Sequence, residues 1–209
     1  GISGGVNVIS FDDLPTTQMG KSGEKYIIST LKNAGYHFFK CTDAIDSDAR
    51  SEWEKAPKLH GPINSYVFPD LQVFKNREIN LVEIKTKTKP TYYRKLEKNQ
   101  HGIDLRHYNS YLKVKDITGL PVWLIVYEKS SQDILSAEIS SLSVDHHGTM
   151  WQGCRQVQMV YFNRDDFTPF DPISAFHNNN ALISSENSSE RWFATKSTIQ
   201  QTLNGAVSA

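Results

Sequence analysis

Between residues 66 and 87 the sequence holds two apolar-rich runs, Tyr66 to Phe74 and Ile79 to Lys87, around the turn residues Lys75-Asn76-Arg77-Glu78. This pattern predicts a β-hairpin. A turn centred on Asn76 and Arg77 pairs Lys75 with Glu78 and, followed along the ladder, Asp70 with Glu83. Two carboxylates then share one side of a sheet. Opposed like charges destabilise a strand pair, and Glu83 lies in an otherwise apolar stretch where a buried charge is costly unless compensated. Strand alternation puts Lys85 on the same face as Glu83 and turns Val82 and Ile84 the opposite way, into the core.

Around the hairpin the chain alternates helix and strand. Tyr26, Ile27, Ile28 and Leu31 give helical spacing from about Ser22 to Ala34, with Gly35 as the stop. His37 to Cys41 reads as a short strand, and Asp43 to Glu54, with five acids against one base, as a solvated loop. Leu105, Tyr108, Leu112 and Lys115 predict a second helix over Asp104 to Thr118, ended by Gly119 and Pro121. Val122 to Tyr127 is an unbroken apolar run, as in a strand covered on both faces, so strand, helix and strand suggest a right-handed parallel crossover. Ile134 to Leu142 and Gln156 to Phe162 are further strand candidates. The expected fold class is α/β, a mixed central sheet flanked by helices, with one domain over residues 6–177 and an Asn/Ser-rich peripheral tail over 178–209.

Composition narrows the function classes. The 209 residues are 38% hydrophobic and 22% charged, enough for a real core. The 23 basic and 23 acidic residues cancel, so any polyanionic partner must be held by local charge. Two cysteines make no disulfide framework, and no run reaches the roughly 18 apolar residues of a membrane span; the expectation is a cytoplasmic protein without a membrane partner. Gly1 to Gly5 reads as a processed or added end.

Hard divalent cations take oxygen ligands and Mg²⁺ keeps several waters, so Asp70, Glu83 and the backbone carbonyl of Ile84 could hold Mg²⁺ or Mn²⁺ in an open site. Two carboxylates, one lysine and such a cation are a minimal set for phosphodiester hydrolysis. The alternative is a cross-strand Lys–carboxylate ion pair on a solvated face. Phe68-Pro69-Asp70, followed after twelve residues by Glu83-Ile84-Lys85, resembles the signature of the PD-(D/E)XK nuclease superfamily, which includes restriction endonucleases and Holliday-junction resolvases. The resemblance extends to element order from Ser22 to Tyr127, about half of the chain. It implies a restriction-endonuclease-like core: a helix carrying an acid, three antiparallel strands, a crossover helix and a parallel strand. It also implies a metal-dependent endonuclease acting on DNA, in which Asp70 and Glu83 hold the cation, Lys85 positions and charges the attacking water, and Glu24 assists. A homodimer is left open.

Glu24 shares the stripe of Ile27, Ile28 and Leu31 and should lean toward the sheet; an acid in the first helical turn, favoured by the macrodipole, is the other reading. From Lys85 to Lys98 the excess of five positive charges, with interleaved tyrosines, makes Lys87, Lys89, Tyr92, Tyr93, Arg94, Lys95 and Lys98 candidates for gripping nucleic acid. On and before the second helix, Gln100, Arg106, His107, Tyr108 and Tyr111 come within reach of the same sheet end. Gln100, His107, Tyr108 and Tyr111 are expected there as supporting polar groups. His146, His147 and Cys154 are too few for a zinc site and read as a polar turn before the last strand; Asp12-Asp13 and Asp165-Asp166 read as loop or helix-start acids. Two rival functions stay open: a DNA-binding or assembly module without turnover, and an RNA-directed nuclease.

Overall fold

Asn76 and Arg77 both take positive φ, 52° and 69°, as a two-residue type I′ turn requires. This sets the register of the hairpin: Lys75 pairs with Glu78 and Leu71 with Val82. These facts come from a computed structural model, which describes residues 15–41, 56–152, 155–173 and 176. The loop expected over Asp43 to Glu54, the residues Asp12, Asp13 and Cys154, and the tail from 178 lie outside the described residues.

The elements are α1 (Pro15–Asn33), β1 (His37–Lys40), β2 (Lys58–His60), β3 (Ser65–Val67), β4 (Leu71–Lys75), β5 (Glu78–Lys87), β6 (Thr91–Tyr93), β7 (Lys98–Asp104), α2 (Leu105–Thr118), β8 (Val122–Glu128), β9 (Asp133–Glu138), β10 (Val144–Gln152), β11 (Arg155–Asn163) and β12 (Thr168–Pro169). A six-stranded sheet runs β1-β4-β5-β8-β9-β12. In it β1, β4 and β5 are successively antiparallel, while β5 and β8 are parallel across the segment that contains α2. The order α1, β1, β4, β5, α2, β8 is the one implied by the resemblance. The chain divides into a unit Gly1–Ala175, which contains all of these elements, and a unit Phe176–Ala209.

Local chemistry explains the helix ends. Gly35 and Gly119 both lie at positive φ (83° and 68°) after a helix, the conformation that closes the last turn with least strain. At the start of α2 the Asp104 carboxylate accepts the Arg106 N–H at 2.8 Å, a side-chain N-cap. Helix α1 begins at Pro15 rather than near Ser22: proline suits the first helical turn, and the polar residues after it carry little apolar period to reveal it.

Three expectations are corrected. The strand expected over Tyr66 to Phe74 is broken at Phe68-Pro69-Asp70. Pro69 has no N–H for a ladder, and the Phe68 N–H goes to the Pro57 carbonyl at 2.7 Å, so β3 pairs with β2 in a separate two-stranded sheet. Second, the strand expected over Ile134 to Leu142 ends at Glu138, and Ile139–Ser141 forms a 3-10 turn; the basic stretch after β5, with residues to Asp104, forms the β6–β7 hairpin. Third, His146 and His147 are not in a turn but within β10. Strands β10, β11, β7 and β6 make a second, four-stranded antiparallel sheet. Asp165 and Asp166 lie in a short 3-10 turn over Arg164–Asp166.

Even-numbered residues of β5 face α1. Ile27 and Leu31 are fully buried there, and Gly23 must lack a side chain because a Cβ would lie 1.9 Å from the Thr86 hydroxyl. Odd-numbered residues face α2: Leu81 joins Tyr111 and Val114 of α2, Leu124 and Val126 of β8, and Ile103, Val160 and Phe162 of the second sheet in one apolar core. Glu83 and Lys85 continue that odd row beyond the core.

Candidate active site

Asp70 stands one residue before β4, opposite Glu83 if the β4–β5 register is extended. Outside the ladder its carboxylate turns to the edge of the sheet and accepts the Ile84 N–H at 3.0 Å. In an antiparallel pairing the N–H and C=O of one residue point the same way, so the Ile84 carbonyl lies along the edge that β4 leaves open beyond Leu71. Lys85 Nζ sits 2.5 Å from Glu83 Oε1. The ion pair foreseen as the alternative therefore forms, but only its lysine reaches solvent: Lys85 is 30% and Glu83 3% exposed, and the Tyr111 hydroxyl from α2 hydrogen-bonds Glu83.

Burial gives these charges their character. Asp70 is pushed up to about 8, first by desolvation and then by the Glu83 carboxylate, with Lys85 and the Ile84 N–H only partly opposing. Burial by itself would depress Lys85, but Glu83 and Asp70 outweigh it and hold the ammonium above its ordinary value. Nearby, burial and then Glu83 raise Tyr111 well above the usual phenol range, and burial and then Lys85 lower His107, leaving its ring neutral at pH 7. Two carboxylates with one lysine thus lack one positive charge for full ionisation. The donor set, two carboxylates and a backbone carbonyl at an open edge, fits a hard divalent cation. Among the described residues no group of three or more His, Cys, Asp or Glu side chains could hold a metal ion, so the pair and the carbonyl would carry it.

Other candidates divide. Glu24 sits in the interior of α1, which removes the first-turn macrodipole reading; it pairs with Lys40 of β1 at 2.8 Å and contributes slightly to the raised Asp70. His107 and Tyr111 come to the carboxylates. Gln100, buried in β7, instead donates to Asp145 at 2.7 Å, and Tyr108 packs its ring on Phe162 at 5.4 Å. Lys87 turns into a cleft beside Lys85, where burial and then Lys85 lower it to about 8. Lys89, Tyr92, Arg94, Lys95 and Lys98 are exposed on or before the β6–β7 hairpin. Tyr93 is stacked on His146 at 4.0 Å, so that face of its ring is taken.

The cleft, about 340 Å³, is lined by Lys85, Lys87, Arg106 and His107 together with Met150, Arg155 and Met159 of the β10–β11 hairpin. Sequence reasoning missed the last three. Nothing local could reveal them, because they reach Lys85 only through the pairing of β11 with β7.

No protein-family model and no curated protein matches the chain. Among solved structures it is similar to Hjc, a Holliday junction resolvase from the archaeal hyperthermophile Archaeoglobus fulgidus, at 9% identity and TM-score 0.42, over 71% of this chain and 91% of that one. It is also similar to D212, a nuclease from a fusselovirus, at 9% identity and TM-score 0.40, over 75% of this chain and 89% of that one. No activity passes to this chain from likenesses of that size, and its function rests on the residues of the site.

Proposed function

We propose that the chain is a divalent-cation-dependent nuclease that hydrolyses phosphodiester bonds of DNA. Asp70, Glu83 and the Ile84 carbonyl would hold Mg²⁺ or Mn²⁺. The observation that carries this reading is the pair of a half-buried Asp70 and a buried Glu83 with Lys85 as its near cation: Asp70 is driven to about 8, whereas a structural ion pair would have no use for a second, underneutralised acid. When bound, such a cation polarises the phosphate and acidifies water. The chain's own groups supply the rest. Lys85, kept charged by Glu83, offsets negative charge that grows on the reacting phosphate. Tyr111 fixes the Glu83 carboxylate under α2. The neutral His107 ring stands beside Lys85 with the capacity to take or give a proton. Lys87 and Arg106 face the flanking phosphates, and the lysines and arginine of β6–β7 extend the grip along the backbone.

The test is incubation with supercoiled, linear, single-stranded and four-way-junction DNA and one RNA, with Mg²⁺, Mn²⁺ or chelator. Metal-dependent cleavage of DNA is expected; binding without turnover in every arm would turn the reading to a non-catalytic module. Lys85→Ala should lower kcat by roughly two orders of magnitude, the scale for removing one transition-state interaction, with KM little changed. Parental turnover in that variant would remove Lys85 from the chemistry. Changing Lys89, Lys95 and Lys98 together to Ala should weaken binding to all sequences alike and make its log–log salt dependence shallower, by about 0.9 for each duplex phosphate no longer neutralised. An unchanged salt slope would take the β6–β7 hairpin out of the interface.

A further inference from the structure

The second sheet places a fixed wall over the Lys85 end of β5. The register Met150↔Val157, Gln152↔Arg155, Met159↔Asp104 and Tyr161↔Gly102 puts Met150, Arg155, Met159 and Tyr161 on one face. The opposite face, with Ile103, Val160 and Phe162, is in the core. Tyr161 braces this wall from both sides. Its ring would lie 2.6 Å from a Cβ on Gly102 and 3.0 Å from one on Gly148, so a side chain at Gly102 would displace it and one at Gly148 would crowd it. Tyr161 stacks on His146 at 4.7 Å and His146 on Tyr93 at 4.0 Å, with interplanar angles of 5° and 11°. The three rings join the outer strands β10 and β6 over the sheet, so the β10–β11 hairpin is tied down beside the cleft.

What fits between this wall and β5 is constrained by size and by chemistry. The cleft of about 340 Å³ is at the small end of pockets that take one small molecule, about 300–1,000 Å³. That is room for one nucleotide unit at a time. Its lining holds the cations Lys85, Lys87, Arg106 and Arg155 and the acid Asp104; Asp104 is bonded to Arg106 at 2.8 Å and Lys85 to Glu83 at 2.5 Å, so the cations still outnumber the acids by two. Met150, 37% exposed, adds polarizable apolar surface on the same wall, suited to the face of a base, with the buried Met159 packed behind it. Cations for the backbone beside apolar surface for bases is the make-up of a single-strand channel. A duplex, whose two backbones are separated by grooves about 6 and 12 Å wide, is a poor match for a cleft of about 340 Å³.

We propose that the polynucleotide admitted to this active centre is single-stranded, passing between the C-terminal end of β5 and the β10–β11 hairpin, with Arg155 and Met150 as the side chains that impose the choice. This rests on the phosphodiester-hydrolase reading for its chemistry, but the selection itself is a property of the cleft and is measured without turnover.

The experiment uses the full chain carrying Glu83→Gln, in chelator, with fluorescently labelled DNA and RNA single strands and the matching DNA duplex, followed by anisotropy. The single strand should bind at least about tenfold more tightly than the duplex, and the tighter of DNA and RNA identifies the sugar. Arg155→Ala and Met150→Ala in the same background should each narrow that preference, Arg155→Ala by about tenfold, chiefly through weaker single-strand binding. Duplex binding equal to or tighter than single-strand binding overturns the proposal, as does a preference untouched by both substitutions. The unsubstituted protein is then given a duplex with a single-stranded flap and Mg²⁺ or Mn²⁺. Cuts within the flap support the proposal; cuts within the duplex at the same rate overturn it and leave the hydrolase reading standing. No cutting of any substrate, together with preferential single-strand binding, overturns the hydrolase reading and leaves the selection standing.

Discussion

Asp70→Asn is expected to reduce metal-dependent cleavage to background and, in the same protein, to raise the stability of the metal-free fold at pH 8. Both effects come from one carboxylate. In the folded chain burial and Glu83 lift Asp70 from 3.8 to about 8, while in the unfolded chain it ionises near its ordinary value. Between about pH 4 and pH 8 the folded state therefore holds a proton that the unfolded state has released, and metal-free stability falls as pH rises through that window, by about 1.4 kcal/mol per pH unit for one proton. Below the unfolded value the carboxyl is protonated in both states and the penalty vanishes. Asparagine cannot ionise, yet its side-chain oxygen can still accept the Ile84 N–H that Asp70 now holds at 3.0 Å. The variant should thus melt higher than the parent at pH 8 in chelator, by an amount worth several kcal/mol, and show no such advantage near pH 4. Added Mg²⁺ should raise the melting temperature of the parent at pH 8 and leave the variant unmoved, since a ligand stabilises only the state that binds it. A less stable Asp70→Asn protein at pH 8 would make Asp70 a structural anion and undo the metal reading.

Arg164→Ala is expected to cost about 3–5 kcal/mol of folding stability at pH 7, the scale for stranding a buried charge. Glu128, at the end of β8, is 2% exposed. It accepts two bonds from the Arg164 guanidinium at 2.8 and 3.1 Å, one from the Ser131 hydroxyl at 3.1 Å, and meets His101 Nε2 at 2.7 Å. Arg164 also reaches Asp133 of β9 at 2.8 Å. These contacts tie β7 and the turn after β11, on the second sheet, to β8 and β9 of the first. Desolvation works to raise Glu128, but the bonds from Arg164 and then His101 overcome it and hold the carboxyl below its ordinary value. Burial lowers His101 against the opposing pull of Glu128, and a single ring nitrogen cannot replace the two bonds of the missing guanidinium. Urea unfolding should show the loss. Adding Glu128→Gln to Arg164→Ala should restore much of it, because the stranded charge is gone; a double variant as unstable as the sum of both single changes would mean that shape, not charge, holds the sheets together.

The reading of residues 66 to 87 succeeded and failed on neighbouring residues. The turn at Asn76-Arg77 and the alternation of Glu83 with Val82 and Ile84 were legible, because turn type and strand period are local properties of a few residues. The break at Pro69 was legible in principle, since proline cannot donate to a ladder, but the apolar residues on either side of it masked the signal. Glu24 was visible as an acid on an apolar stripe; its partner, Lys40, was not, because the strand that carries it is fixed beside α1 only by pairing with β4. The polar segments that became β6 and β10 have little apolar alternation. Their strand character comes from partners far along the chain, with β7 between β6 and β11, and β11 between β7 and β10.

By itself the sequence determined the covalently local features: the hairpin register that aims Asp70 at Glu83, the side of β5 on which Lys85 stands, and the glycines that stop both helices. Each follows from φ/ψ preferences and a period of two or 3.6, which act within one element. Tertiary structure alone decided that α2 covers Glu83, that Asp70 leaves the ladder to cap Ile84, and that the β10–β11 hairpin brings Arg155 and Met150 to the Lys85 cleft. Burial, and with it the raised Asp70 and the shape of the cleft, depends on which distant surfaces exclude water from a charge, and no spacing along the chain encodes that.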